Sequence, residues 1–331
     1  MRSWVLTGDR HEPMRLEDRN EPGLTSAQVR VDIRAAALNY RDLLMCDEPQ
    51  RPGLVPLSDG AGQVVEVGSG VTALRPGDRV VGGFFASWAS GPARRANLDS
   101  ALGGDLDGVL SERVVLEAAA VAKIPEAFSF AEAATFPCAG TTAWHALMGD
   151  AFPPVPGDVV LTLGTGGVSV FALQIAKLAG ATVIATSSSP AKLDRLRELG
   201  ADAVLDYTSD DWDARAIEAT GGRGVDFIVE TGGAATLGRS LRSCAVGGCV
   251  TLVGLLSGQA TEADAGLIHD HSLTLRAIYV GPVAMLQDCL NAFAASGTRP
   301  VIDRAFEFED AAAALGYLRS GGHLGKIVIE R

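Results

Sequence analysis

The chain has 331 residues carrying 28 Lys and Arg against 40 Asp and Glu, a formal net charge of −12; this length predicts two domains. The acidic balance, with Arg94-Arg95 as the densest basic pair, excludes a binder of nucleic-acid backbones, whose affinity rests on clustered Lys and Arg, and no apolar run reaches the ~18 residues of a membrane span. Residues 1–10 turn polar too soon for a signal peptide, and five cysteines (Cys46, Cys138, Cys244, Cys249, Cys289) form no CxxC and leave an odd one over, which reads as reduced thiols in a cytoplasmic protein.

Residues 1–125 read as strand-rich and punctuated by Gly and Pro. Residues 29–34 alternate with period two, as a half-buried strand does, and 63–67 and 79–81 are further short strands. Between them 39–46 predicts a short helix, and 86–108, rich in Gly, Ala, Ser and Asp, a long loop. Ser129 followed by Glu132 has the spacing of a capping box and opens a helical stretch. From residue 158 strand and helix alternate: strand 159–163, helix 170–178, strand 182–186, then a helix with Pro190 at its first position. Strands at 203–205, 227–229 and 250–253 come next, and the repeated β-α-β spacing predicts a doubly wound parallel sheet covered on both faces. The chain closes with a helix (283–295), a strand (302–306), a helix (310–318) and a strand (326–329).

Leu163-Gly164-Thr165-Gly166-Gly167-Val168-Ser169 joins a strand to a helix in the pattern GxGxxS. Gly164 permits the sharp turn, Gly166 lets backbone N–H groups approach a pyrophosphate at the helix N-terminus, and Ser169 is small enough to replace the third glycine. An ordinary βα turn is the plainer alternative, but strand, turn, helix and second strand together favour dinucleotide binding. The second strand ends in Ser187-Ser188, where an NAD enzyme usually has an acid for the ribose 2′-hydroxyl. Lys192 comes shortly after. A neutral end and a nearby lysine favour NADP(H) over NAD(H); otherwise the serines only cap the helix and Lys192 is solvated.

With these motifs in place, the chain resembles the medium-chain dehydrogenase/reductase superfamily over nearly its whole length, and most of all its zinc-independent, quinone-oxidoreductase-like branch. The matching segments are Leu38-Asn39-Tyr40-Arg41-Asp42, the run from Asp59-Gly60-Ala61-Gly62 to Gly68, Arg75-Pro76-Gly77-Asp78-Arg79-Val80, Phe136-Pro137-Cys138-Ala139-Gly140-Thr141-Thr142-Ala143-Trp144, and Gly325-Lys326-Ile327-Val328. Asn39-Tyr40-Arg41-Asp42 is also similar to the enoyl-reductase domains of fatty-acid and polyketide synthases. The resemblance implies a GroES-like catalytic domain from residues 1–125, completed by 282–331, with a Rossmann NAD(P)-binding domain at 126–281 inserted and the active site in the cleft. It also implies cofactor contacts from Thr142, Gly164, Gly166, Gly167, Val168, Tyr207, Thr231, Gly232, Val253 and Gly254. Lys326 is either a further contact near the nicotinamide or a solvated strand lysine, and Tyr207 either lies against the adenosine ribose or is a surface aromatic.

The zinc branch carries Cys where this chain has Asn39 and His-Glu where it has Ser58-Asp59; only Cys138 matches a ligand position, and 86–108 lacks the cysteines of the structural-zinc lobe. Catalytic zinc normally needs three good protein donors, so no metal is expected, and Cys138 reads as a small buried residue. His145, His269, His271 and His323 lack ligand spacing and read as structural or solvated. Without a Lewis acid the favoured reaction is hydride transfer from NADPH to a quinone or an enone, in which the protein mainly orients the two partners. Asn39 and Tyr40 are the candidate catalytic residues, bonding the substrate oxygen or the cofactor amide, with Tyr40 as proton donor or enolate stabiliser; a packed helix aromatic is the other reading of Tyr40. Asp42 reads as a cap or an internal salt bridge. A zinc-free alcohol dehydrogenase or ketone reductase, and a dinucleotide-binding protein with little turnover, are the competing functions. The partners expected are a small-molecule substrate and a second copy of the chain, pairing through an edge strand within 273–280.

Overall fold

The computed structural model describes residues 1–47, 51–149, 151–259 and 262–331. It divides into two compact units, Met1–Thr141 with Gly281–Arg331, and Thr142–Val280.

The first unit begins with an antiparallel pair, β1 (Arg2–Leu6) and β2 (Met14–Asp18). Then come β3 (Gln28–Ala37), α1 (Tyr40–Asp47), β4 (Asp59–Val67), β5 (Arg79–Gly82), α2 (Arg95–Leu98), β6 (Arg113–Glu117), β7 (Val121–Lys123) and α3 (Phe130–Ala134). The alternation read at 29–34 is the core face of β3: Val29, Val31 and Ile33 are buried while Arg30 and Asp32 turn away. The capping box is in place at α3, with Glu132 N–H donating to Ser129 Oγ at 3.1 Å and Ser129 N–H to Glu132 Oε2 at 2.8 Å. This helix belongs to the first unit, so the boundary lies after Thr141 and not at the expected 125/126; the change of texture near Pro125 marks a change of secondary structure, not of unit.

The second unit holds α4 (Thr141–Met148), β8 (Val159–Thr162), α5 (Gly167–Leu178), β9 (Thr182–Ser187), α6 (Pro190–Glu198), β10 (Ala203–Asp206), α7 (Trp212–Ala219), β11 (Val225–Glu230), α8 (Leu237–Ser243), β12 (Cys244–Leu252), α9 (Ala265–Asp270) and β13 (Thr274–Ala277), α4 starting one residue before it. Its six strands are all parallel in the order β10-β9-β8-β11-β12-β13. Counted from β8 this is 3-2-1-4-5-6, the doubly wound order of a Rossmann sheet, whose ligand crevice lies beyond the carboxyl ends of the strands where the order reverses. Helices cover both faces, so the strands are apolar throughout: Val160, Leu161, Val183, Ile184, Ile228, Val229 and Val250 are at most 1% exposed, each contributing roughly 1.5–3 kcal/mol. The strand expected within 273–280 is β13, at the edge of the sheet.

The chain then returns to the first unit with α10 (Val283–Ser296), β14 (Ile302–Glu307), α11 (Ala311–Arg319) and β15 (Lys326–Glu330). They complete a sheet in the order β14-β15-β3-β4-β5-β7, with β6 also on β3. Ala37 at the end of β3 faces Asp59 on β4 and Val328 on β15, both antiparallel. Continued by the bond from Leu38 N–H to the Ile327 carbonyl (3.0 Å), that register sets Asn39 beside Lys326.

Candidate active site

The first unit gathers Asn39, Asp42, Ser58, Asp59, Cys138 and Lys326, residues far apart in sequence. Lys326 is 3% exposed, and its ammonium donates to the Leu38 carbonyl and to Asn39 Oδ1, each at 2.5 Å. It also faces Asp59 Oδ2 as an ion pair at 3.8 Å. Asp59, fully buried, accepts from Ser58 Oγ at 2.6 Å and from the Cys138 N–H at 3.0 Å. That N–H is free because Phe136–Gly140 is a π-helical turn opening on Pro137, a geometry frequent at functional sites. Asn39 lies between β3 and α1; its N–H donates to Asp42 Oδ2 at 2.7 Å, and Asp42 N–H returns a bond to the Asn39 carbonyl at 3.0 Å. Asp42 therefore caps α1, in line with the structural reading.

Burial governs the electrostatics of this cluster. It pushes the Asp59 carboxyl above its ordinary range, against the pull of Lys326 and the Ser58 bond. It pushes Asp42 up to about 6 and the Cys138 thiol well above its usual value, Asp59 adding to the rise. Tyr40 opens α1 with half its surface exposed (50%), which excludes the packed-aromatic reading. Leu44, one turn on, is exposed to the same extent. Arg41 holds the start of the helix, donating to the Leu102 carbonyl at 2.7 Å with its guanidinium 4.8 Å over Phe84.

This donor set does not suit zinc. A catalytic zinc ion takes three thiolate, imidazole or carboxylate ligands, whereas here an amide, a hydroxyl and a protonated thiol surround a carboxylate already facing an ammonium. Among the described residues no group of three or more His, Cys, Asp or Glu is placed to hold a metal.

The other expected contacts lie in the second unit. Gly164 follows β8 with φ +77, and its N–H donates to Thr186 Oγ1 at 3.1 Å; Gly166 is the N-cap of α5, with Gly167 and Val168 in its first turn. A Cβ on Gly164 or Gly166 would meet no atom within 4 Å, so bare backbone at the N-terminus of a long helix borders open space, as a pyrophosphate cradle requires. Ser169 takes the third glycine's place: it is buried, and its hydroxyl donates to the Leu163 carbonyl at 2.6 Å. Thr231, Gly232, Val253 and Gly254 come after β11 and β12, and Thr231 Oγ1 reaches the same Leu163 carbonyl at 2.9 Å. These three turns share the carboxyl edge of neighbouring strands β8, β11 and β12.

At the end of β9 Ser187 is buried, its Oγ accepting from Ser189 N–H at 3.2 Å, while Ser188 is exposed and receives the Tyr207 hydroxyl at 3.3 Å. Lys192 stands half-buried in the first turn of α6, and Thr142 is buried in the first turn of α4. Lys326 is not a solvated strand lysine: its ammonium is committed within the first unit to Leu38, Asn39 and Asp59. His145 is structural, its Nδ1 donating to the Val280 carbonyl at 2.9 Å.

Sequence reasoning gave no role to Asp59 beyond failing as a zinc ligand, and it passed over Glu230. The available signal for Glu230 was an acid closing the apolar run Phe227-Ile228-Val229 at the carboxyl end of its strand, since a buried charge needs partners.

Residues 25–126 match the alcohol dehydrogenase GroES-like domain family, and residues 167–296 the zinc-binding dehydrogenase family. The chain is 38% identical over 317 residues to a zinc-type alcohol dehydrogenase-like protein of Schizosaccharomyces pombe, covering 93% of this chain and 92% of that protein. It is 30% identical over 284 residues to a quinone oxidoreductase-like protein 2 homolog of Nematostella vectensis, covering 84% and 72% respectively. Among solved structures, a Sinorhizobium meliloti 1021 protein described as an alcohol dehydrogenase superposes with a TM-score of 0.93 at 39% identity, over 100% of this chain and 98% of that one.

Proposed function

The chain belongs to the medium-chain dehydrogenase/reductase superfamily and is an oxidoreductase, and we propose that it is a zinc-independent, NADPH-dependent reductase delivering hydride to a quinone or an activated alkene. The observation that carries this reading is the buried Lys326–Asn39–Asp59 cluster: the carboxylate that a metal would need already faces a buried ammonium. A second cation there meets direct repulsion and a poor donor set.

When bound, the nicotinamide supplies the hydride. The backbone of Gly164, Gly166, Gly167 and Val168 would hold the pyrophosphate, Ser188, Lys192 and Tyr207 the 2′-phosphate side, and Thr231, Gly232, Val253, Gly254 and Thr142 the remainder. Asn39 orients the substrate oxygen or the cofactor amide, with Lys326 clamping its Oδ1 so that the amide faces one way. The exposed Tyr40 hydroxyl donates to the developing oxyanion. Without a Lewis acid to polarise a carbonyl, the easier acceptors are those whose electrons delocalise, quinones and enones.

The decisive assay is NADPH consumption against a panel of quinones, enones, aldehydes and ketones, with zinc measured on protein never exposed to chelator. Turnover of quinones or enones with well under one zinc per chain is expected; near-stoichiometric zinc with activity lost on chelation overturns the reading. The alcohol-dehydrogenase names of two relatives favour the reaction of the second reading, a zinc-free alcohol dehydrogenase or ketone reductase, and not its lack of zinc; that reading predicts turnover of ketones and aldehydes alone. Cofactor binding with no turnover of any acceptor would leave a dinucleotide-binding protein. We extend the reading to a cytoplasmic enzyme with reduced thiols, all five cysteines being unpaired. We extend it also to a homodimer: among the described residues β13 pairs with β12 alone, leaving an edge that a two-fold partner would cover. A monomer in light scattering would end the dimer.

A further inference from the structure

We infer that Glu230, at the end of β11, is the positioning residue whose carboxylate presets the turn 231–236 for the cofactor. This rests on the dinucleotide-binding reading and adds a residue that touches neither cofactor nor substrate. Glu230 is 0% exposed. Its Oε1 accepts from the N–H of Gly232 at 2.7 Å, the N–H of Gly233 at 3.1 Å and Thr236 Oγ1 at 2.7 Å. Oε2 accepts from the Ser240 hydroxyl. Its backbone carbonyl accepts from Val253 N–H at 2.9 Å and Gly254 N–H at 3.3 Å.

Each of these donors is neutral. Burying a carboxylate costs several kcal/mol before its bonds are counted, and an apolar residue would extend this strand as well. What the carboxylate adds is geometry: two consecutive backbone N–H groups are drawn onto one oxygen, and the start of α8 is tied to them through Thr236 and Ser240. The turn so formed is tight. A Cβ on Gly232 would come within 2.3 Å of Thr236 Oγ1, and one on Gly254 within 2.7 Å of the Thr231 carbonyl. Gly233 has φ +86, a conformation that L side chains rarely adopt. Ser257 N–H and Oγ both donate to the Gly232 carbonyl at 2.7 Å, and Thr231 Oγ1 reaches Leu163 at the glycine turn. The Glu230 carboxylate thus ties the 231–236 turn to α8, its backbone carbonyl meets the 253–254 turn, and Thr231 joins this mesh to the glycine turn. Turns ordered in advance spare the ligand the entropy of ordering them.

Three variants test this, with NADPH and NADH as probes in binding titrations and steady-state kinetics on the full chain. Glu230→Met removes both carboxylate oxygens and leaves the backbone carbonyl; NADPH affinity should fall about tenfold or more while kcat at saturation stays within about threefold. Glu230→Gln should stay within about threefold of the unmodified protein, because its Oε1 accepts the same three bonds and its Nε2 donates to Ser240. Amide hydrogen exchange at 232 and 233 without cofactor should quicken in Glu230→Met and not in Glu230→Gln. If Glu230→Met does not fold, Thr236→Val carries the test, with a KM rise of a few-fold at unchanged kcat. NADPH bound as tightly by Glu230→Met as by the unmodified protein, or a loss in Glu230→Gln equal to that in Glu230→Met, overturns the inference. Failure of the unmodified protein to bind either dinucleotide instead overturns the cofactor reading beneath it.

Discussion

Replacing Lys326 by methionine removes a charge from a place without water to compensate it. The ammonium lies 3.8 Å from Asp59 Oδ2, and at an effective dielectric constant of ~20 two unit charges at that distance attract by about 4 kcal/mol. The variant also strips a donor from the Leu38 carbonyl and from Asn39 Oδ1. Breaking a buried pair from one side typically costs about 3–5 kcal/mol, chiefly because the remaining charge is stranded. Urea denaturation of Lys326→Met at pH 7.5 should show a loss in that range. Asp59 is already pushed up by burial and loses the pull of Lys326, so its folded pKa rises further above the unfolded value. A raised folded value stabilises below the unfolded pKa and is lost as pH rises through the folded one, so the deficit should shrink as the pH falls toward 5. The double variant Lys326→Met with Asp59→Asn removes both charges and should recover most of the loss. A deficit under about 1 kcal/mol for the single variant, or no recovery in the double, would show that Lys326 and Asp59 are not energetically coupled.

Tyr40→Phe should lower kcat by roughly 10²–10³ if the hydroxyl bonds a developing oxyanion; unchanged turnover makes Tyr40 a surface aromatic. NADPH should be preferred over NADH by roughly 10–100-fold in kcat/KM, the worth of one charge-assisted bond from Lys192, with Lys192→Ala erasing the preference and Ser187→Asp reversing it. Equal use of NADH by the unmodified protein would refute this. Asp42, raised from 3.8 to about 6 by burial, should contribute stability that is complete below pH ~4 and lost as pH rises through ~6, about 3 kcal/mol in all. The stability difference between the unmodified protein and Asp42→Asn, followed from pH 4 to 8, should fall over that window, and a flat difference would remove the assignment.

Local rules made most of the elements legible. The period-two stretch in β3, the Ser129–Glu132 capping box, Pro190 at the head of α6 and the glycine turn between β8 and α5 each arise from constraints within a few residues. The alternation of strands and helices after residue 158 was enough for a parallel sheet, because no other layering buries strands that are apolar on both faces. The β1–β2 pair was passed over, since exposed positions in β2 dilute its pattern.

The site depended on register. Lys326 and Asn39 are 287 positions apart, and their meeting is set by β15 lying antiparallel to β3 with Val328 opposite Ala37. A slip of one residue would turn the lysine to the other face of the sheet, and no pattern local to either strand specifies that alignment. The same holds for Glu230. As a residue it is one acid at the end of a strand; its meaning comes from Gly232, Gly233, Thr236 and Ser240 folding back around it. Chain-local chemistry specified the strands, the helices and the bare glycine turn, because each closes on itself. Whether a given charge is solvated, paired or spent on shaping a turn depends on which strands lie side by side, and that is settled only when the sheets close.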